Sequence, residues 1–384
     1  MRPRLVTPLL RRRLASYPAV ALVGARQCGK TTLARSLGGR YYDLEQPADR
    51  LRLDLEWEQV IASGDLLVLD EAQTWPDIFA RIRGAIDAAR RRMGRFLLLG
   101  SVSPALMTHV SESLAGRLSL VELTPFLLTE LGRRADLDAL WLRGGYPDGG
   151  LLDAAAYPQW QADYLALLTQ RDLPEWGMSA RPQEAARLLR MLAVAHGQAW
   201  NASRIGQSLG ISYQTVNDRI DVLEGAWLVR MLQPWHANLR KRLVKSPKMY
   251  VRDTGLLHGM LGVRDDDMLR VQPWVGASWE GFCIEQVLGT LAAAGVQHQP
   301  WYFRTSDGYE IDLVLDLGHT RWAIEIKLTS SPSPSDMERL DKTADMIDAE
   351  RRILVTRTAR VAGDASRSSL NLPTLLRECA ALGD

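Results

Sequence analysis

Eight residues near the start of the chain restrict its fold more than any other feature. Gly24–Thr31 reads GARQCGKT and fits the pattern G-x-x-x-x-G-K-[ST] at each fixed position. Before it stands a short apolar run, AVALV at 19–23, with the length of a buried strand. After it, Thr32 and the residues LARSL continue as a helix. A strand, a glycine-bearing loop and a helix in that order form a cradle for phosphates. The glycines let backbone N–H groups turn inward around phosphate oxygens, and the helix start adds a favourable field. Gly24, Ala25, Arg26, Gln27, Cys28 and Gly29 would wrap the phosphates, with Thr32 behind them. Lys30 brings a point charge to the β and γ phosphates, and Thr31 offers a hydroxyl to Mg²⁺. The expected ligands are ATP and Mg²⁺.

A second run, LLVLDE at 66–71, has four apolar residues and then two acids. Ligands of open α/β sheets lie at the carboxyl ends of strands. Asp70 would therefore hold Mg²⁺ through water, and Glu71 would polarise the attacking water as a general base. Residues 96–101, FLLLGS, give a further buried strand, whose Ser101 is placed to contact the γ-phosphate or the water. A strand ending in solvated acids and a plain Gly-Ser turn are the alternatives.

These segments, with SLAGRLSLVEL-TPF, GGYPD at 144–148 and QRDL at 170–173, resemble the AAA+ ATPase superfamily. More narrowly, the chain resembles bacterial and archaeal ATPases in which the ATPase domain precedes a DUF4143-like C-terminal region. The resemblance implies an α/β fold with a three-layer parallel sheet over residues 1–150, ATP hydrolysis, and a homo-oligomer. In that oligomer Arg117 would reach a neighbour's γ-phosphate as an arginine finger. A surface arginine in a strand-entry turn is the plainer reading.

GGYPD is a turn-rich break, and residues 151–182 follow as a helical connector in which Arg171 and Asp172 face either the nucleotide or another domain. Residues 183–264 read as a winged helix-turn-helix. Apolar spacing marks a first helix over 183–196, Asn201 caps a second, and Ser212 caps a third with Val216, Ile220 and Leu223 on one face. The outward face of the third helix would carry Tyr213, Gln214, Asn217 and Arg219, side chains able to touch phosphates or base edges. Two strand-like runs, WLVRML and KMYVRD, flank a wing with Arg240, Lys241, Arg242 and Lys245. Cations there suit DNA phosphates. Asp218 and Asp221 dilute that charge, and winged helices also dock proteins.

After Asp265–Asp267, an acidic linker, residues 270–384 read as an α/β restriction-endonuclease-like domain. A helix over 279–293 precedes the strands WYFRT, EIDLVLDL and RWAIEIKL. In the last strand a period of two puts Glu325 and Lys327 on one face, and a hairpin would bring Asp312 to them. This D…E-x-K set resembles the PD-(D/E)xK nucleases, in which acids hold Mg²⁺ against a phosphate and the lysine orients water. Asp312, Glu325 and Lys327 would be catalytic, Glu280 could add a third acid to the metal, and Glu285 is a weaker candidate. A salt bridge between strand residues is the alternative, and many such folds bind DNA without cutting it.

Net charge is +2, too small to point to nucleic acid by itself. The three cysteines, Cys28, Cys283 and Cys379, are far apart, with no metal-ligand spacing and no disulfide framework, which fits a reducing cytoplasm. No apolar run approaches a membrane span. The sequence thus predicts an ATPase that acts on DNA, or else an ATP-gated protein switch carrying a non-cleaving platform.

Overall fold

The computed structural model describes residues 2–100, 114–132, 136–235 and 244–383. The first sheet has five strands in the order β2-β3-β4-β1-β5, namely Ala19–Val23 (β1), Arg40–Asp43 (β2), Leu67–Asp70 (β3), Phe96–Leu99 (β4) and Leu118–Glu122 (β5). All its pairings are parallel. The three central strands, β3, β4 and β1, are buried along their whole length because both faces are covered. Val20, Leu22, Val68, Leu97 and Leu99 pack on helices Thr7–Ser16 (α1) and Lys30–Ser36 (α2). Ala19, Ala21, Leu67, Leu69 and Leu98 pack on helices Pro47–Ser63 (α3) and Asp77–Ala88 (α4). The three expected layers are present.

Helix Leu137–Arg143 (α5) leaves this sheet. Its Leu140, Trp141 and Leu142 belong to the core of the C-terminal domain, where the Trp141 ring lies edge-on to Trp279 at 5.1 Å. Residues 1–150 therefore do not share one core.

Helix Gln159–Leu167 (α6) runs on through a wider turn, Leu168–Asp172, to Leu173–Glu175. Helices Pro182–Val194 (α7), Ala202–Leu209 (α8) and Tyr213–Gly225 (α9) come next. The caps expected from sequence hold: Asn201 Oδ1 accepts from Arg204 N at 3.0 Å, and Ser212 Oγ accepts from Thr215 N at 3.1 Å. Three antiparallel strands, Gln198–Ala199 (β6), Val229–Leu232 (β7) and Lys248–Val251 (β8), pair in the order β6-β8-β7. Helix Thr254–Met260 (α10) follows. Asp265–Asp267 is no linker: Asp265 caps a short helix, Asp266–Arg270 (α11), accepting from Met268 N at 2.8 Å.

The long helix Val275–Ala294 (α12) is buried along most of its length. It packs on a six-stranded mixed sheet ordered β13-β14-β12-β11-β10-β9. The strands are Gln299–Arg304 (β9), Glu310–Asp316 (β10), Arg321–Ile326 (β11), Arg351–Thr356 (β12), Ala362–Gly363 (β13) and Arg367–Asn371 (β14). Helix Pro334–Ala344 (α13) covers the opposite face, and Leu372–Ala381 (α14) packs beside α12.

Candidate functional site

The phosphate loop leaves β1 at Gly24, whose φ of +144° no side chain adopts easily. A Cβ there would lie 2.1 Å from the Leu123 carbonyl oxygen, so glycine is required on two grounds. Lys30 Nζ donates to the loop's own Gly24 and Ala25 carbonyls, both at 2.9 Å, and stands ready at the centre of the loop. Thr31 Oγ1 donates to Asp70 Oδ2 at 2.7 Å, the corner where Mg²⁺ was expected. Tyr41 shares that carboxylate oxygen at 2.7 Å, while Glu71 N donates to the other at 3.0 Å. Burial, with Asp70 beside it, pushes the Tyr41 hydroxyl well up, so it stays protonated and donates to the carboxylate. Glu71 sits in the left-handed region at φ +49°, a strained conformation typical of functional positions, and accepts from Gln73 Nε2. Lys30, Thr31, Asp70 and Glu71 line one cleft of about 550 Å³ that also takes in Arg2, Phe126, Pro147 and Asp148.

The cleft is buttressed by residues that the motifs do not reveal. Buried Arg4 donates to the Cys28 carbonyl at 3.0 Å and the Thr124 carbonyl at 2.6 Å, and pairs with Glu130 at 3.0 Å. Arg26 pairs with Asp172, which leaves Arg26 tied to the connector. Ala25 packs in the same core as Tyr146, Tyr164 and Leu168. The Cys28 thiol donates to the Leu123 carbonyl at 3.3 Å, and burial raises its pKa, so it is a structural thiol rather than a reactive one. Cys283 and Cys379 are likewise free and buried.

Arg117 lies at the opposite end of the strands from the loop. It precedes β5, and its carbonyl accepts from Ala19 N at the start of β1, so the length of a strand, roughly 16 Å, separates it from the loop. Its guanidinium is bidentate on Asp87, with Nη2 2.9 Å from Oδ1. It is not part of its own chain's site. Ser101 lies outside the described residues.

On α9, Tyr213, Gln214 and Asn217 are exposed as expected. Arg219 is not: it is buried, donating to the Ser179 carbonyl at 2.9 Å and pairing with Glu184 at 3.3 Å. The exposed face is left with Asp218, Asp221 and Glu224. Arg240, Lys241 and Arg242 lie outside the described residues.

In the C-terminal domain Asp312, Glu325 and Glu280 lie near enough to act on one another, but the cation closest to Asp312 is not Lys327. Among the described residues, no group of three or more His, Cys, Asp or Glu is set to hold a metal ion. Asp312 is buried at a β-bulge in β10, its Oδ2 accepting from Ile326 N at 2.9 Å. Lys327 turns to Asp336 of α13 at 3.2 Å and is 4.0 Å from Glu325. The ammonium beside Asp312 is instead that of Lys248, on β8. It reaches Glu280 at 2.9 Å, Glu310 at 2.7 Å and Asp312 at 3.6 Å. Burial, then Glu280 and Glu325, push the Asp312 carboxyl far up; burial also lifts Glu325 to about 7, against the pull of Lys327. Glu285 lies elsewhere, between Arg230 and Arg252, which hold it near 2 although burial pushes the other way. Arg252 continues to Glu122 at the end of β5, at 2.7 Å.

Three family models match successive parts of the chain. An AAA domain profile matches residues 16–132, a domain of unknown function (DUF8612) matches 134–267, and a domain of unknown function (DUF4143) matches 275–375. Uncharacterized proteins of Mycobacterium tuberculosis (Rv2008c) and Mycobacterium bovis (Mb2031c) are each 41% identical over 334 residues, spanning 85% of this chain and 74% of theirs. The chain belongs to their family. It is an AAA-type ATPase with a C-terminal DUF4143 region. Among solved structures, the Walker-type ATPase PABY2304 of Pyrococcus abyssi is 16% identical, covering 67% of this chain and 94% of that one, with a TM-score of 0.48. Among the described residues, no helix of this AAA protein is long and apolar enough to cross a membrane.

Proposed function

We propose that this AAA protein is an Mg²⁺-dependent ATPase whose nucleotide state is passed from the phosphate loop to the connector and the C-terminal domain. The observation that carries this reading is the corner at Thr31 and Asp70, bonded at 2.7 Å beside Lys30 and Glu71. The residues fit the group: hydroxyl and carboxylate suit a hard cation, and the buried Lys30 suits phosphate. Lys30 and the loop amides would hold the β and γ phosphates, and Thr31 and Asp70 would hold Mg²⁺, which neutralises charge on the transferring phosphoryl group. Glu71 would accept the proton of the water that attacks the γ phosphorus as the bond to the β-phosphate oxygen breaks. Arg117, at the far end of the strands, would serve the nucleotide of a neighbouring copy in a homo-oligomer. The three buried thiols suit a reducing cytoplasm. Lys30→Ala should abolish ATP binding and phosphate release; release at the wild-type rate would overturn the assignment.

A second reading, action on DNA, has one observation behind it. Tyr213, Gln214 and Asn217 stand exposed on α9, and the sequence carries the basic run Arg240, Lys241 and Arg242 further along the same region. Asp218 and Asp221 on the same helix oppose it and suit a protein partner. Duplex binding that weakens steeply with salt and is lost in Arg240→Ala/Lys241→Ala/Arg242→Ala would support DNA. Binding indifferent to those changes would leave the protein-switch reading.

A further inference from the structure

The acidic set of the C-terminal domain invites a divalent cation, yet the structure gives it a different partner. We infer that Lys248 is the resident cation of this site: its ammonium replaces a metal among Glu280, Glu310 and Asp312 and locks β8 of the middle region onto the C-terminal domain.

The argument is geometric. An ammonium has three N–H donors, and carboxylates from α12 and β10 converge on this one at 2.9, 2.7 and 3.6 Å. Tyr250, two residues along β8, donates to the same Glu280 oxygen. A divalent metal needs its oxygens at about 2.0–2.6 Å. The ammonium spreads the acids to hydrogen-bond radius, too wide for that, and would also stand against the ion with like charge. Lys248 cannot simply swing aside. Its stem is buried, and β8 is paired on both edges, with Met249 opposite Gln198 on one side and Met231 on the other. Lys327, the motif's own lysine, is drawn off to Asp336, so the site has taken its cation from another part of the chain. A metal can enter only if β8 withdraws, which makes the site a latch between two domains rather than a standing nuclease centre.

The inference does not depend on the ATPase reading, because the variants that test it leave the phosphate loop untouched. The test is Mn²⁺ binding to the whole 384-residue, nucleotide-free chain, followed by the free-Mn²⁺ paramagnetic resonance signal. Wild type, Asp312→Asn and Glu280→Gln should bind the same amount. Lys248→Gln should bind one more Mn²⁺ per chain, and the double variant Lys248→Gln/Asp312→Asn should lose it again. A wild-type Mn²⁺ that disappears in Asp312→Asn overturns the inference, and so does a folded Lys248→Gln that gains none. If Lys248→Gln does not fold, the comparison of wild type with Asp312→Asn decides alone: equal binding supports the latch, and a lost ion refutes it.

Discussion

Arg26 of the phosphate loop is ion-paired to Asp172, 146 residues further along the chain. The loop that should bind phosphate thus spends one of its two cations on the connector. A triphosphate entering the cleft would offer Arg26 a stronger anion, and the connector would then lose its hold on the loop.

This relationship predicts a nucleotide-dependent stability effect. Asp172→Asn should destabilise the nucleotide-free protein by about 1–3 kcal/mol, the usual range for a hydrogen-bonded charged group deprived of its partner. With a non-hydrolysable ATP analogue and Mg²⁺ present, the loss should shrink, because phosphate replaces the carboxylate. Denaturant melts with and without the analogue measure both. An identical loss in the two conditions would mean that the pair is structural only.

Glu71 makes a separable contribution. Glu71→Gln keeps the size and the hydrogen-bonding capacity of the side chain but removes the base. ATP binding should survive, while phosphate release falls by roughly 10²–10⁴-fold, the range for loss of a positioned proton acceptor. Binding and single-turnover release on the same preparation check this, and a variant that releases phosphate at the wild-type rate would place the base elsewhere.

The parts of this architecture that sequence made legible are local ones. The phosphate loop, the acids ending β3 and the caps at Asn201 and Ser212 are each written in a few consecutive residues. The parts that were hidden depend on contacts between distant segments. Arg4 reads as one more basic residue of the N-terminus until the fold places it under Cys28 and Thr124. Lys248 sits in a strand buried along its whole length, so no alternation marks it out, and its partners come from another domain. Arg219 was misplaced because it borders the apolar stripe of α9, where a long side chain can turn inward to Glu184. The D…E-x-K pattern correctly puts a carboxylate at Asp312 in a buried strand, but it cannot say which cation that carboxylate meets.

The buried network Glu122–Arg252–Glu285–Arg230 joins the ATPase sheet, the middle region and α12. Truncating its centre leaves Glu122 without its partner and Glu285 with Arg230 alone. Arg252→Met should therefore cost about 3–5 kcal/mol, as removal of one partner from a buried ion pair does. Changing Arg40 in the solvent-screened pair with Asp65 should cost far less. Chemical denaturation of the two variants tests the contrast, and equal losses would show that the network does not hold the domains together.

Two buried histidines give the last prediction. His196 accepts from Val251 N at Nδ1, 3.0 Å away, and its Nε2 faces the Ala277 carbonyl at 3.2 Å, a pattern that needs the neutral ring. His258 donates from Nδ1 to the Leu142 carbonyl at 2.8 Å, and its Nε2 accepts from Ser278 at 2.7 Å. Trp141 donates to that same Ser278 oxygen at 3.0 Å, so the hydroxyl proton is committed to the histidine. Burial lowers His196 to about 3 and His258 to about 4, from an ordinary value of 6.5. Below pH 6.5 the unfolded chain takes up protons that the fold refuses. Each ring therefore contributes stability that is present above 6.5 and is lost as pH falls towards its folded value, at roughly 1.4 kcal/mol per pH unit. Glu325, raised to about 7, and Asp253, raised to about 6 by burial, act with the opposite sign, so the net curve mixes both. The clean measurement is a difference in slope. Between pH 6.5 and 5, unfolding free energy should fall less steeply in His258→Asn than in wild type, by about one proton's worth. Parallel slopes would mean that His258 is protonated in the fold, and the Ser278 hydrogen bond would then have to be reversed.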